Sequence, residues 1–121
     1  MLRAMPLLLW CLLIYFLSSR QSVPVSYLFE HEDKLFHACG YAVMGGLFWF
    51  WVRGYPNVQA RAAAAAGLLF CSLYGASDEW HQSFVPGRDV AAGDWLADTL
   101  GAALMLTILV RHALAVAESR G

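Results

Sequence analysis

The chain has 121 residues, of which 60% are hydrophobic and only 14% charged, with a formal net charge of -1. A soluble domain carries about 25% charged residues, so the deficit points to a membrane protein. The near-neutral balance removes the basic field that nucleic-acid binding needs. Cys11, Cys39 and Cys71 each sit in an apolar run; they offer no disulfide framework and read as packed thiols.

Four apolar runs follow in chain order, and helices are expected at about 5–19, 35–52, 60–79 and 95–112. The predicted fold is all-α, a four-transmembrane-helix bundle forming one domain over 1–121, a multi-pass membrane protein. Each run is short against the ~20 residues that cross a hydrocarbon core, and flanking side chains or local thinning must make up the difference. A soluble four-helix bundle would need polar stripes at helical period. LLLWCLLIYFL, AVMGGLFWFW and LGAALMLTILV have none. The first run resembles a signal peptide in having Arg3 before an apolar core, but SSRQS lacks a small-x-small cleavage site, so an uncleaved first helix is expected.

With four spans, Arg3, Arg53, Arg61, Arg111 and Arg120 share one side, against Arg20, Lys34 and Arg88 on the other. That excess places both termini in the cytoplasm by the positive-inside rule. Trp49 and Trp51 beside Arg53 suit an inner aromatic belt, and Trp80 and Trp95 an outer one. Three helix ends then meet at the outer level: EDKLFHACGY, YGASDEWHQ and DWLADTLG. Asp33, His37 and Tyr41 share a helix face, as do Gly75, Asp78, Glu79 and Gln82, and Asp94, Asp98 and Gly101. Three polar faces at one depth predict one cavity, with Pro86-Gly87 turning the chain so that Arg88 lies over its mouth.

DKLFHACGYAVMGG followed by YGASDEWHQSFVPGRDVAAGDWLADTLGA resembles the VanZ-like family of small integral membrane proteins. The resemblance covers helices 2 to 4. It carries over Asp33, Lys34, His37 and Tyr41 from the first block. From the second it carries over Asp78, Glu79, His81, Gln82, Phe84, Pro86, Gly87 and Arg88, and from the third Asp94 and Gly101. The family pattern usually has Asn where this chain has Asp98, so a shared role at that position does not transfer. The resemblance implies a bacterial cell-membrane protein of the envelope, associated with resistance to glycopeptides, teicoplanin in particular. It supplies no reaction.

Several roles stay open for these residues. Asp33 and Asp94 stand just before apolar helices, where carboxylates cap free N–H groups. Asp78 and Glu79 lie at a helix C-terminus, where the dipole disfavours anions, so a cation, a metal or a proton must compensate. Intramembrane ionisable groups are functional by default. His37 and His81 suit a general acid/base pair, metal ligation with Glu79 or Asp94, or helix-end hydrogen bonds. DEWH is not a zinc signature, and neither a metal nor a cofactor is expected. Arg88 and Lys34 could hold a phosphate; the plainer alternative for Arg88 is pairing with Asp89 or Asp78. The glycines at 40, 45, 46, 67, 75 and 101 read as close helix packing.

The expected catalytic candidates are therefore Asp78, Glu79, His81 and His37. The expected ligand-binding set is Lys34, Arg88, Gln82, Tyr41, Asp33 and Asp94. The expected partner is a membrane lipid or lipid-linked cell-wall precursor bearing an anionic head group. Two alternatives remain: an acid/base enzyme acting on a lipid-linked substrate, and an assembly factor whose polar cluster only locks helices.

Overall fold

A computed structural model describes residues 2–20, 32–88 and 90–121. His31 and Asp89, expected respectively as a solvated side chain and as a partner for Arg88, lie outside the described residues. A short 3-10 turn, Leu2–Ala4, leads into α1 (Met5–Ser18), followed by α2 (Glu32–Val52), α3 (Ala60–Gln82) and α4 (Ala92–Glu118). The local sequence explains these bounds. Pro6 sits in the first turn of α1, where its missing N–H costs nothing. The alanine run 62–66 opens α3 with the best helix former. Asn57 and Gly87 adopt positive φ in the two loops that turn the chain around.

Neighbouring contacts set the directions. Lys34 reaches Asp94, His37 reaches Asp98, and Gly45 lies against Ala102 and Leu106, so α2 and α4 run parallel. Trp95 and Thr99 bond to Ser72 while Gly67 meets Leu106, so α3 runs antiparallel to α4. Trp10 Nε1 donates to the carbonyl of Gly40, and Tyr74 Oη to that of Cys11, which ties α1 to α2 and α3. The polar ends of α2, α3 and α4 gather at one end of the bundle, joined there by the C-terminus of α1.

Burial is inverted relative to a soluble protein. Leu12, Leu69, Leu73, Leu104 and Ile108 are each more than half exposed, whereas Asp78, Glu79, Gln82, Asp94 and Asp98 are each less than a tenth exposed. Apolar outside and ionisable inside is the order a lipid solvent imposes. α2 and α4 are long and apolar enough to cross a membrane. The expectation of four spans meets that measure only in part. α1, at 14 residues, rises about 21 Å against a hydrocarbon core of ~30 Å. α3 is diluted by Arg61, Ser72, Ser77, Asp78 and Glu79.

Close packing explains three of the six glycines. A Cβ at Gly101 would overlap the backbone of Ala38, and one at Gly67 would come within 3.0 Å of Phe48. A Cβ at Gly75 would come within 3.1 Å of Asp98, whereas one at Gly45 would make ordinary contacts with Leu106 and Ala102 at 3.4 and 3.5 Å. Gly46 has only an ordinary contact, at 3.7 Å from Met105, and a Cβ at Gly40 would meet nothing within 4 Å. Gly40 is thus a cavity residue and not a packing one. The thiols also divide: Cys71 is buried in the core, Cys11 partly so, and Cys39 is exposed.

Candidate functional site

Because α2 starts at Glu32 and α4 at Ala92, Asp33 and Asp94 fall inside the first turns and not at the caps. The N-cap of α4 is Ala91, with no side-chain cap bond. The capping role expected for Asp94 is therefore absent. Its Oδ1 instead accepts from Lys34 Nζ at 2.9 Å, and Lys34 also holds Asp33 at 3.1 Å. The helix positions still suit both carboxylates, which sit at the positive ends of two dipoles. Lys34 bridges α2 to α4 at the rim.

One layer deeper, the catalytic candidate His37 meets Asp98, the residue to which the sequence assigned no role. Asp98 is fully buried, and its Oδ1 is 3.0 Å from His37 Nδ1. With Asp98 ionised, its carboxylate can only accept; that places a proton on His37 Nδ1 and, when the ring is neutral, the lone pair on Nε2. The signal was legible: Asp98 follows Asp94 by one helical turn, on the face that also carries Gly101. Its close fit was not, since it depends on Gly75, where a Cβ would stand 3.1 Å from Asp98 Oδ2.

The carboxylates of α3 are satisfied differently from any expected compensation. Asp78 Oδ2 accepts from the Gln82 amide one turn later at 3.0 Å, and Glu79 Oε2 accepts from the Ala91 backbone N–H at 3.1 Å. Glu79 so pins the loop that precedes α4. Three buried polar atoms keep no hydrogen-bond partner among the described residues: Tyr41 Oη, Glu79 Oε1 and Asp98 Oδ2. Such atoms are costly in a low-dielectric interior and mark places where a polar guest is stabilised.

His81 does not join this cluster. Its Nε2 lies 2.9 Å from Oγ of Ser19, the C-cap of α1, and its ring packs on Tyr15 of α1 at 4.7 Å. Arg88 likewise turns to α1, donating from Nε to the Arg20 carbonyl and from Nη2 to the Leu17 carbonyl. These bonds reach carbonyls at a helix C-terminus, where a cation complements the dipole.

Arg88 borders an open cavity of about 230 Å³ between α1, α2 and α3. Trp10, Leu13, Ile14, Leu17 and Phe36 form its apolar wall; His37, Tyr41, Asp78, Gln82 and Arg88 supply its polar groups, and Gly40 lies between. Of the expected site residues, these five line the cavity, whereas Lys34, Asp33, Asp94, Glu79 and His81 do not. The α1 wall was invisible in the sequence because that helix contributes shape without polar signals. Among the described residues, no group of three or more His, Cys, Asp or Glu is arranged to hold a metal ion.

No curated protein and no solved structure matches the chain. A family model described as VanZ/LLP1 matches residues 4–114, which includes α1 as well as the three helices that bear the motifs. A membrane protein with buried carboxylates beneath lipid-facing leucines, carrying these motifs along nearly its whole length, belongs to the VanZ/LLP1 family.

Proposed function

We propose that this protein crosses the bacterial cell membrane with all four helices and holds the head group of a phosphate-bearing lipid or lipid-linked wall precursor in the cavity at its outer end. The observation that carries the reading is the division of the cavity wall. α1 and Phe36 offer an apolar surface continuous with the lipid-facing exterior, while His37, Tyr41, Asp78, Gln82 and Arg88 converge on the same space. A cavity with one apolar wall and a few convergent polar groups suits an amphipathic ligand. Arg88 is the cation positioned to meet a phosphate, because Lys34 is engaged by two carboxylates. Retention of a lipid-linked precursor at this face would connect the site to glycopeptide response.

Gly40 offers a direct test. A Cβ there is unopposed, and the residue lines the cavity. Leucine in its place should fill the space without clash, and even gain up to ~1 kcal/mol in helix propensity. Gly40→Leu is expected to melt no lower than wild type in detergent yet lose co-purifying phosphate-bearing lipid by native mass spectrometry. Equal lipid retention in the two proteins would refute head-group binding at this cavity.

The orientation has its own measurement. With both termini cytoplasmic, a reporter fused after Gly121 should behave as cytoplasmic. Cysteine at the exposed position Ser83 should react with an impermeant thiol reagent applied to intact cells. Labelling of Ser83→Cys only after lysis would place the cavity on the inner side.

A second reading is favoured by the His37–Asp98 pair. A buried carboxylate that fixes the Nδ1 proton leaves Nε2 basic, the arrangement of a general base. On that reading the same head group is the substrate of an acid/base reaction.

A further inference from the structure

We infer that the head group held in this cavity bears a primary amine beside its phosphate, a phosphoethanolamine-like zwitterion rather than a purely anionic group. The inference rests on the head-group reading above and follows from where charges are already spent. Lys34 is bound to Asp33 and Asp94, His37 to Asp98, and Arg88 uses Nε and Nη2 on the carbonyls of α1. Asp78 lines the cavity, is 6% exposed, and has the neutral Gln82 amide as its hydrogen-bond partner. Beside it Tyr41, 2% exposed, also lines the cavity with its hydroxyl unpartnered. Two side chains that line the same space, one a carboxylate and one able to accept, therefore have no bonded cation among the described residues.

A guest with only negative charge would bring its anion against Asp78 in a low-dielectric site, where like charges repel most. A primary ammonium reverses that interaction. It has three N–H donors, one for the Asp78 carboxylate, one for Tyr41 Oη and one to spare. Its phosphate then faces Arg88, whose Nη1 takes no part in the two bonds to α1. A trimethylated ammonium keeps the charge but has no N–H to donate, so neither Asp78 nor Tyr41 would gain a hydrogen bond. The cavity thus discriminates by hydrogen bonding as well as by charge.

The test uses the full chain, reconstituted separately in vesicles of phosphatidylcholine containing equal fractions of phosphatidylethanolamine or phosphatidylglycerol, then extracted in mild detergent. Lipid retained per protein is read by native mass spectrometry. Phosphatidylethanolamine should be retained roughly 10-fold over either other lipid, the value of one charge-assisted hydrogen bond. Asp78→Asn should erase that preference. Should Asp78→Asn fail to purify, wild-type protein with the mono-, di- and trimethylated phosphatidylethanolamines decides: the first methyl removes only the spare donor, so retention must fall chiefly with the second and third. Preference for phosphatidylglycerol, or undiminished retention of the trimethylated lipid, would overturn the amine while leaving the head-group reading intact. Retention of every lipid unaffected by Gly40→Leu would overturn both.

Discussion

Gly101→Leu is expected to cost at least ~3 kcal/mol of stability, the upper end of ordinary overpacking, read as lower expression and a depressed melting temperature in detergent. A Cβ at this position would occupy the space of the Ala38 backbone, carbonyl oxygen included. Backbone cannot step aside as a flexible side chain can, so α2 and α4 must separate. Between membrane helices no hydrophobic force opposes such a separation; association depends on close van der Waals fit and interhelical hydrogen bonds. The damage also reaches the site, because Gly101 lies one turn from Asp98, and the 3.0 Å bond to His37 spans the same two helices. Gly46→Ala is the matched control, since its Cβ would make only an ordinary contact with Met105. Equal melting of the two variants would show that this contact does not set the helix separation.

His37→Gln should separate binding from chemistry with the largest functional effect of any single change. Positioned acid/base groups contribute typically ~10²–10⁴-fold in rate. If His37 transfers a proton, the variant loses nearly all turnover while the cavity still holds lipid. Asp98→Asn is the informative partner. Its side-chain oxygen can still accept from His37 Nδ1, so the ring keeps its orientation, but a neutral amide stabilises the imidazolium less than a carboxylate does. Its loss should be smaller than that of His37→Gln. The measurement pairs lipid retention with the lipid and wall-precursor profile of a deletion strain complemented by each variant. Retained lipid with an uncorrected profile supports acid/base chemistry. Parallel loss of both supports a binder. Wild-type behaviour in His37→Gln removes the histidine from either role. Because Asp98 is fully buried, Asp98→Ala should instead destabilise by roughly 1–3 kcal/mol for the orphaned partner, before any cavity term.

Much of this architecture is determined by sequence pattern. Apolar runs without polar stripes imply helices that face lipid, and helical spacing alone places Asp33 with His37 and Tyr41, and Asp94 with Asp98 and Gly101, on common faces. Short loops with Pro, Gly and Asn then return α3 after α2 and α4 after α3. Those three facts bring the polar ends to one level, and the observed helix directions agree. The helix bounds were less legible. α2 and α4 begin three residues before their apolar runs because Glu32, Asp33, Asp94 and their neighbours are stabilised by the helix dipole and by Lys34, not by hydrophobic patterning.

What tertiary structure decided is which polar groups are partners. Asp78 and Glu79 are adjacent in sequence, yet one bonds within its own helix and the other holds the Ala91 amide across a loop. His81 belongs to the same motif as both and turns away to Ser19. Arg88 reaches backbone carbonyls at the end of α1, a partner set by where that helix stops in space and not by helical phase. A side chain's type and helical phase are local properties, so sequence determines which face it lies on. The partner it meets depends on interhelical distances, and these are set by glycine contacts such as Gly101 with Ala38 and Gly75 with Asp98, summed over the whole bundle.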